Sequence, residues 1–222
     1  MINEGIKKYI MSRKQNPIQE YSLGNISVYI KENLPDFVDL EKVLSFIESN
    51  LPSDFYKNVD MIYIGRFPFL KEREVDAVFQ DGAIYLSSKQ TSEKDFISDL
   101  VHEIAHSSIH DLGLFEDGKI EREFLGKRTK LFELLTSRGY KLNKSDFLNT
   151  EYDKDFDNLL YSEIGYPTLE NLASGLFCSV YGATSLQEYY ANAFENYFVN
   201  DLTLVKKTSP VIYQKLTNLL QF

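Results

Sequence analysis

The sequence predicts an α+β fold, on three observations. Strand-like patterning is confined to the chain before Ser88, helical periodicity dominates after it, and a hairpin signal runs directly into a long apolar-periodic helix. Residues 1–17 mix Lys, Ile and Tyr and read as a short helix or a loose tail. Residues 21–30 carry strand content in Ile26, Val28 and Ile30. Residues 39–50 read as a helix, because Leu40, Val43, Leu44 and Ile47 recur at helical spacing and Pro52 follows. Residues 59–67 read as a strand.

Residues 75–88 form the clearest hairpin, with two apolar runs flanking Asp81-Gly82, the signature of a type I′ turn. Its second strand leads into a helix over roughly 93–111. That strand is expected either to form the upper edge of a cleft, where an extended peptide can add by main-chain hydrogen bonds, or to be an ordinary sheet edge. Beyond Asp117 the pattern is mainly helical. A long helix holds Ile120, Phe124, Leu131, Leu134 and Leu135 and closes near Gly139; residues 144–160 read as a helical or irregular insertion; and Pro167 starts a helix through Leu169, Leu172 and Phe177. One domain is expected over 1–222, with a sheet-containing lobe over about 1–112 and a helical lobe over about 113–222.

Composition narrows the function classes. A net charge of −9 argues against nucleic-acid or anionic-membrane partners. Cys178 is the only cysteine, which excludes an intramolecular disulfide and a Cys-rich metal site. No run approaches the ~18 apolar residues of a membrane span. The N-terminus lacks the apolar stretch of a signal peptide, so a cytoplasmic location is expected, with export as an effector or toxin lacking a cleaved signal as the alternative.

His102-Glu103-Ile104-Ala105-His106 reads H-E-x-x-H within the central helix. Two histidines at i and i+4 share one helix face and can reach one metal ion, while the adjacent glutamate can hold a water on it; this is a zinc-hydrolase pattern. All three histidines of the chain, His102, His106 and His110, lie on this segment. The predicted helix places Phe96, Ile97, Leu100, Val101, Ile104 and Ala105 on one arc and Asp99, His102, Glu103, His106 and His110 on the other. Thr91 or Ser92 caps its start and Gly113 stops it. His110 lies too far up the axis to share the ion and is expected to be exposed or to act from outside the ligand set. Asp99 is expected either to brace a ligand imidazole or to be a solvated helix charge.

A hydrolytic zinc site needs a third protein ligand. The leading candidate is Glu188, on a helix capped by Thr184 or Ser185, with Asn192 at i+4 placed to orient a neighbouring ligand. Ser185 and Glu188 also make an S-x-x-E capping box, so spacing alone leaves Glu188 between ligand and cap.

Both motifs resemble the catalytic region of the anthrax lethal factor family of zinc peptidases, which includes the Pro-Pro endopeptidases. That family carries H-E-x-x-H, a tyrosine-bearing loop and a helix of the form E-[FY]-[FY]-A-x-[AS]-F. Glu188-Tyr189-Tyr190-Ala191-Asn192-Ala193-Phe194 matches the helix, and Tyr181 matches a tyrosine seven residues before the glutamate. Pro210, Tyr213 and Leu216 resemble the family's tail. The resemblance covers roughly residues 86–222. Asn192 stands where an acidic residue is common, residues 113–173 are long for the family, and the N-terminal third has no counterpart.

The resemblance implies a zincin-like, gluzincin-type metalloendopeptidase binding Zn²⁺ through His102, His106 and Glu188. Glu103 is then the general base, and Tyr181 the donor to the developing oxyanion. The expected partner is a protein or peptide substrate, with no Pro-Pro preference carried over. The competing expectation is a catalytically silent or partner-activated binding module on a peptidase-like fold.

Overall fold

The computed structural model describes residues 21–221. The helix or tail read over 1–17 lies outside them. Among the described residues, five strands form one mixed sheet accompanied by helices, so the fold is α+β.

The strand content of 21–30 is two short strands, β1 (Tyr21–Leu23) and β2 (Ile26–Ile30), paired antiparallel. Between them Gly24 turns at φ 58°, a left-handed value that favours glycine. β3 (Met61–Gly65) runs parallel to β2 and to β5 (Ala83–Ser87), while β4 (Ala77–Gln80) pairs antiparallel with β5. The order is β1-β2-β3-β5-β4, which puts β4 at one edge. The strand directly before the central helix, β5, is therefore interior; the edge expected of it belongs to its hairpin partner β4. Asp81 and Gly82 have φ of 51° and 77°, the positive pair that a type I′ turn needs. Side chains alternate across the sheet. Val28, Ile62, Ile64, Ile84 and Leu86 are buried in the core. In the neighbouring register, Tyr29, Tyr63 and Tyr85 stack with nearly parallel rings across three strands, with centroids 5.6 and 5.3 Å apart.

Helix α1 (Leu40–Asn50) crosses from β2 to β3, and Asp39 caps it through the Lys42 N–H. A short helix α2 (Pro68–Arg73) follows β3; the sequence pattern did not single it out. The central helix, α3, spans Glu93–Ser108, three residues short of the expected end at Asp111, with Gly113 in the left-handed region beyond it. Helix α4 (Lys119–Ser137) stops before Gly139, as its pattern indicates. The segment read as helical or irregular holds a 3₁₀ turn at Lys144–Phe147, helix α5 (Lys154–Asn158) and a π-helical stretch at Leu159–Gly165. Helix α6 (Tyr166–Leu172) has Pro167 in its first turn, but it ends at Leu172 and does not reach Phe177. Helices α7 (Leu186–Phe198), α8 (Leu202–Thr208) and α9 (Pro210–Leu219) complete the chain.

One apolar cluster joins the sheet to these helices through Ile62, Ile84, Phe96, Leu100, Ile104 and Phe194. Packing of α3 against α7 and of β4 along α3 sets the site. Among the described residues, no helix is long and apolar enough to cross a membrane.

Candidate metal centre

Helix α3 is anchored by apolar side chains on one side and carries His102 and His106 on the other. Phe96, Leu100, Val101, Ile104 and Ala105 are at most 1% exposed. Ser92, rather than Thr91, caps it by accepting the Asp95 N–H at 3.1 Å, a contact of about 1 kcal/mol. One turn apart on the other side, His102 and His106 stand with their Nε2 atoms 3.2 Å from each other.

Helix α7 brings Glu188 to the same point. Tyr189, Tyr190, Ala193 and Phe194 are buried, and the Tyr190 hydroxyl meets Ser108 Oγ at 3.2 Å, fastening α7 to the end of α3. Ser185 is the cap, accepting the Glu188 N–H at 3.1 Å. The reciprocal half of the capping box is not made, because the Glu188 side chain turns to the histidines. Its Oε2 lies 3.1 Å from His102 Nε2 and its Oε1 lies 3.4 Å from His106 Nε2. One donor atom from each of the three residues falls within 4.8 Å of the other two, so His102, His106 and Glu188 can hold one metal ion. Their side chains keep 14–17% exposure, which leaves the cluster reachable from solvent.

The electrostatics follow from this crowding. Burial opposes ionisation of Glu188, but hydrogen bonds from both imidazoles prevail and hold its carboxyl below the usual range. Burial likewise opposes charge on His102, and the carboxylates of Glu188 and Glu195 overcome it and raise its pKa. Glu103 is only 7% exposed, although helical phase alone puts it on the solvent arc. Burial pushes its carboxyl up, while the imidazoles and a 2.6 Å hydrogen bond from the Phe79 N–H of β4 pull the other way.

Tyr181 lies on a 3₁₀ turn, Tyr181–Ala183, just before the α7 cap. Thr184 pins that turn by donating its N–H and its hydroxyl to the Tyr181 carbonyl at 2.9 and 2.8 Å. Burial, reinforced by the nearby Glu188 charge, raises the Tyr181 hydroxyl far above its ordinary pKa, so it stays protonated and able to donate.

Two expectations need revision and a third is met. Asn192 orients no ligand imidazole: its amide donates to the Glu188 carbonyl at 2.9 Å and its oxygen accepts from Ser179. Asp99 is neither a brace nor a fully solvated charge, since it is partly buried and accepts from Gln90 Nε2 at 2.7 Å. His110 lies past the end of α3 and is exposed, one of the two outcomes its spacing allows.

Two residues escaped the sequence reading. Glu195 reaches His102 Nδ1 at 3.4 Å; it lies seven residues after Glu188, so the same-face spacing was a usable signal. Arg128 is 1% exposed and ties the segment before α7 to α4; nothing in its helix pattern sets it apart from a surface arginine.

A scan against protein-family models, a search of curated proteins and a search of solved structures each found no match to this chain.

Proposed function

We propose that this protein is a zinc-dependent endopeptidase of zincin-like, gluzincin type that hydrolyses peptide bonds in a protein or peptide substrate. The convergence of His102 Nε2, His106 Nε2 and the Glu188 carboxylate carries this reading. Tetrahedral zinc with bonds of about 2.0–2.1 Å has ligand–ligand edges of about 3.3 Å. The separations here are 3.1, 3.2 and 3.4 Å. Two imidazoles and one carboxylate are also the donor set of catalytic rather than structural zinc.

A zinc ion held by these residues supplies Lewis acidity, lowering the pKa of water toward neutrality and polarising the scissile carbonyl. Glu103 is the base: a buried carboxylate with a raised pKa takes the proton of the attacking water and passes it to the leaving amine. Its hydrogen bond to Phe79 N–H aims it from β4. Tyr181 donates to the negative charge growing on the carbonyl oxygen. Among the described residues β4 is an edge strand, and beyond the Phe79 N–H given to Glu103 its outer main-chain groups can meet an extended peptide running beside α3.

The test pairs metal content with cleavage. Purified protein is expected to contain about one zinc and to cut members of a peptide library. Glu188→Ala is expected to lose both; zinc retained in that variant returns Glu188 to a capping role. A zinc-loaded wild-type protein that cuts no peptide points instead to a silent binding module.

A further inference from the structure

We infer that Glu195 is the positioning residue of the metal centre, orienting the His102 ring by accepting its Nδ1–H; the inference rests on the metal-site reading above. The two nitrogens of His102 face two different carboxylates of one helix. Nε2 lies 3.1 Å from Glu188 Oε2, and Nδ1 lies 3.4 Å from Glu195 Oε2. Glu188 and Glu195 are separated by two helical turns, so they share a face of α7 and the ring bridges them. A proton held on Nδ1 by Glu195 leaves the Nε2 lone pair directed at the ion, which is how an outer carboxylate sets tautomer, ring orientation and basicity.

The carboxylate is itself held. Its other oxygen accepts from Asn200 Nδ2 at 2.9 Å, and the same amide reaches Ser98 Oγ on α3 at 3.5 Å, one turn before His102. The chain Ser98–Asn200–Glu195–His102 therefore closes a loop between α3 and α7. Asn192, one turn nearer Glu188, is committed to Ser179 and the Glu188 carbonyl. The position one turn after Glu188 is thus occupied by a packing amide, and Glu195 contacts the imidazole from one turn further along.

The decisive measurement is zinc affinity by competition with a chromophoric chelator, made on the full chain. Glu195→Ala is expected to weaken zinc binding about 10- to 100-fold. Glu195→Gln, which keeps an acceptor but not the charge, should fall between it and wild type, and Asn192→Ala should stay near wild type. Because the chain has three histidines, ¹H–¹⁵N spectra resolve the His102 ring N–H. In zinc-loaded wild type the His102 Nδ1–H proton should resonate downfield and exchange slowly, as a proton hydrogen-bonded to a carboxylate does, and Glu195→Ala should lose both features. A purely structural role predicts a lower Tm with affinity and the Nδ1–H signal unchanged, and that result overturns the inference. Glu188→Ala separates the two readings. If it loses zinc while Glu195→Ala does not, only the positioning role fails; if neither loses zinc, the ligand set fails with it.

Discussion

Charge is buried both where α3 crosses α7 and around Arg128, and only the first of these has donor atoms placed to hold a metal ion. At the crossing of α3 and α7, donor atoms of His102, His106 and Glu188 converge on a shared point, with buried Glu103 beside them. On α4, Arg128 lies 1% exposed between Phe124, Phe147 and Phe156, its guanidinium 3.9 Å from the Phe156 ring centroid. It donates to the carbonyls of Ala183, Thr184 and Asp146, with no carboxylate partner among these bonds. Burial pulls its pKa down to about 10, which still leaves it charged at neutral pH. Its partners are fixed backbone dipoles, spent in holding the loop. The histidine–glutamate cluster keeps solvent access and lone pairs able to accept an ion. Burial of charge is common to both; convergence on a reachable point belongs to one.

The sharpest way to test that contrast is to disable each place separately. Glu103→Gln should lower kcat by about 10³- to 10⁴-fold while leaving zinc content and Tm near wild type. A normal rate in this variant removes Glu103 as the base. Arg128→Met should do the opposite. Three carbonyls lose their donor in an apolar pocket, an expected loss of about 2–4 kcal/mol that should appear as a Tm fall of roughly 5–15 °C. A protein as stable as wild type would show that the aromatic cage alone holds the segment.

Between these extremes stands Tyr181, which belongs to both places. Its hydroxyl serves the proposed chemistry, and the adjoining Ala183 and Thr184 carbonyls are held by Arg128. Tyr181→Phe should cut kcat about 10- to 100-fold with little change in KM, because the lost interaction forms only as charge grows on the carbonyl oxygen. Equal loss in KM would instead mark it as a ground-state contact.

The same contrast explains what could be read from the sequence. His102, His106 and Glu103 were legible because their relation is local: helix geometry alone puts i and i+4 together. Ser92 and Ser185 were legible as caps for the same reason. Glu188 was visible only as an ambiguity, since Ser185 offers its backbone a cap while the imidazoles some eighty residues away claim its side chain. Glu195 stands at a two-turn spacing from Glu188, and nothing local distinguishes it from the nearer i+4 neighbour, Asn192. Arg128 carried no local signal, because its partners come from residues 146, 183 and 184. The irregular 144–165 region was illegible on similar grounds. Its backbone is set by contacts such as Leu186 N–H to the Thr150 carbonyl at 2.8 Å rather than by periodicity.

The smallest expected effect comes from Asp99, a group that lies near the centre without converging on it. Burial raises its pKa to about 6, against which the Gln90 hydrogen bond and the His102 charge act only partly. The unfolded value is about 3.9. The folded state therefore holds the proton more tightly, so the penalty is absent below about pH 4, grows as pH rises toward 6 and is complete above that. Asp99→Asn keeps an acceptor for Gln90 and removes the ionisation. In metal-free protein it should raise Tm by a few degrees at pH 7.5, with the gain shrinking toward zero near pH 4. Zinc affinity in this variant should match wild type, since the His102 contact runs to Glu195; a tenfold loss would make Asp99 the brace after all, and would bring the buried carboxylates of α3 into the converging set.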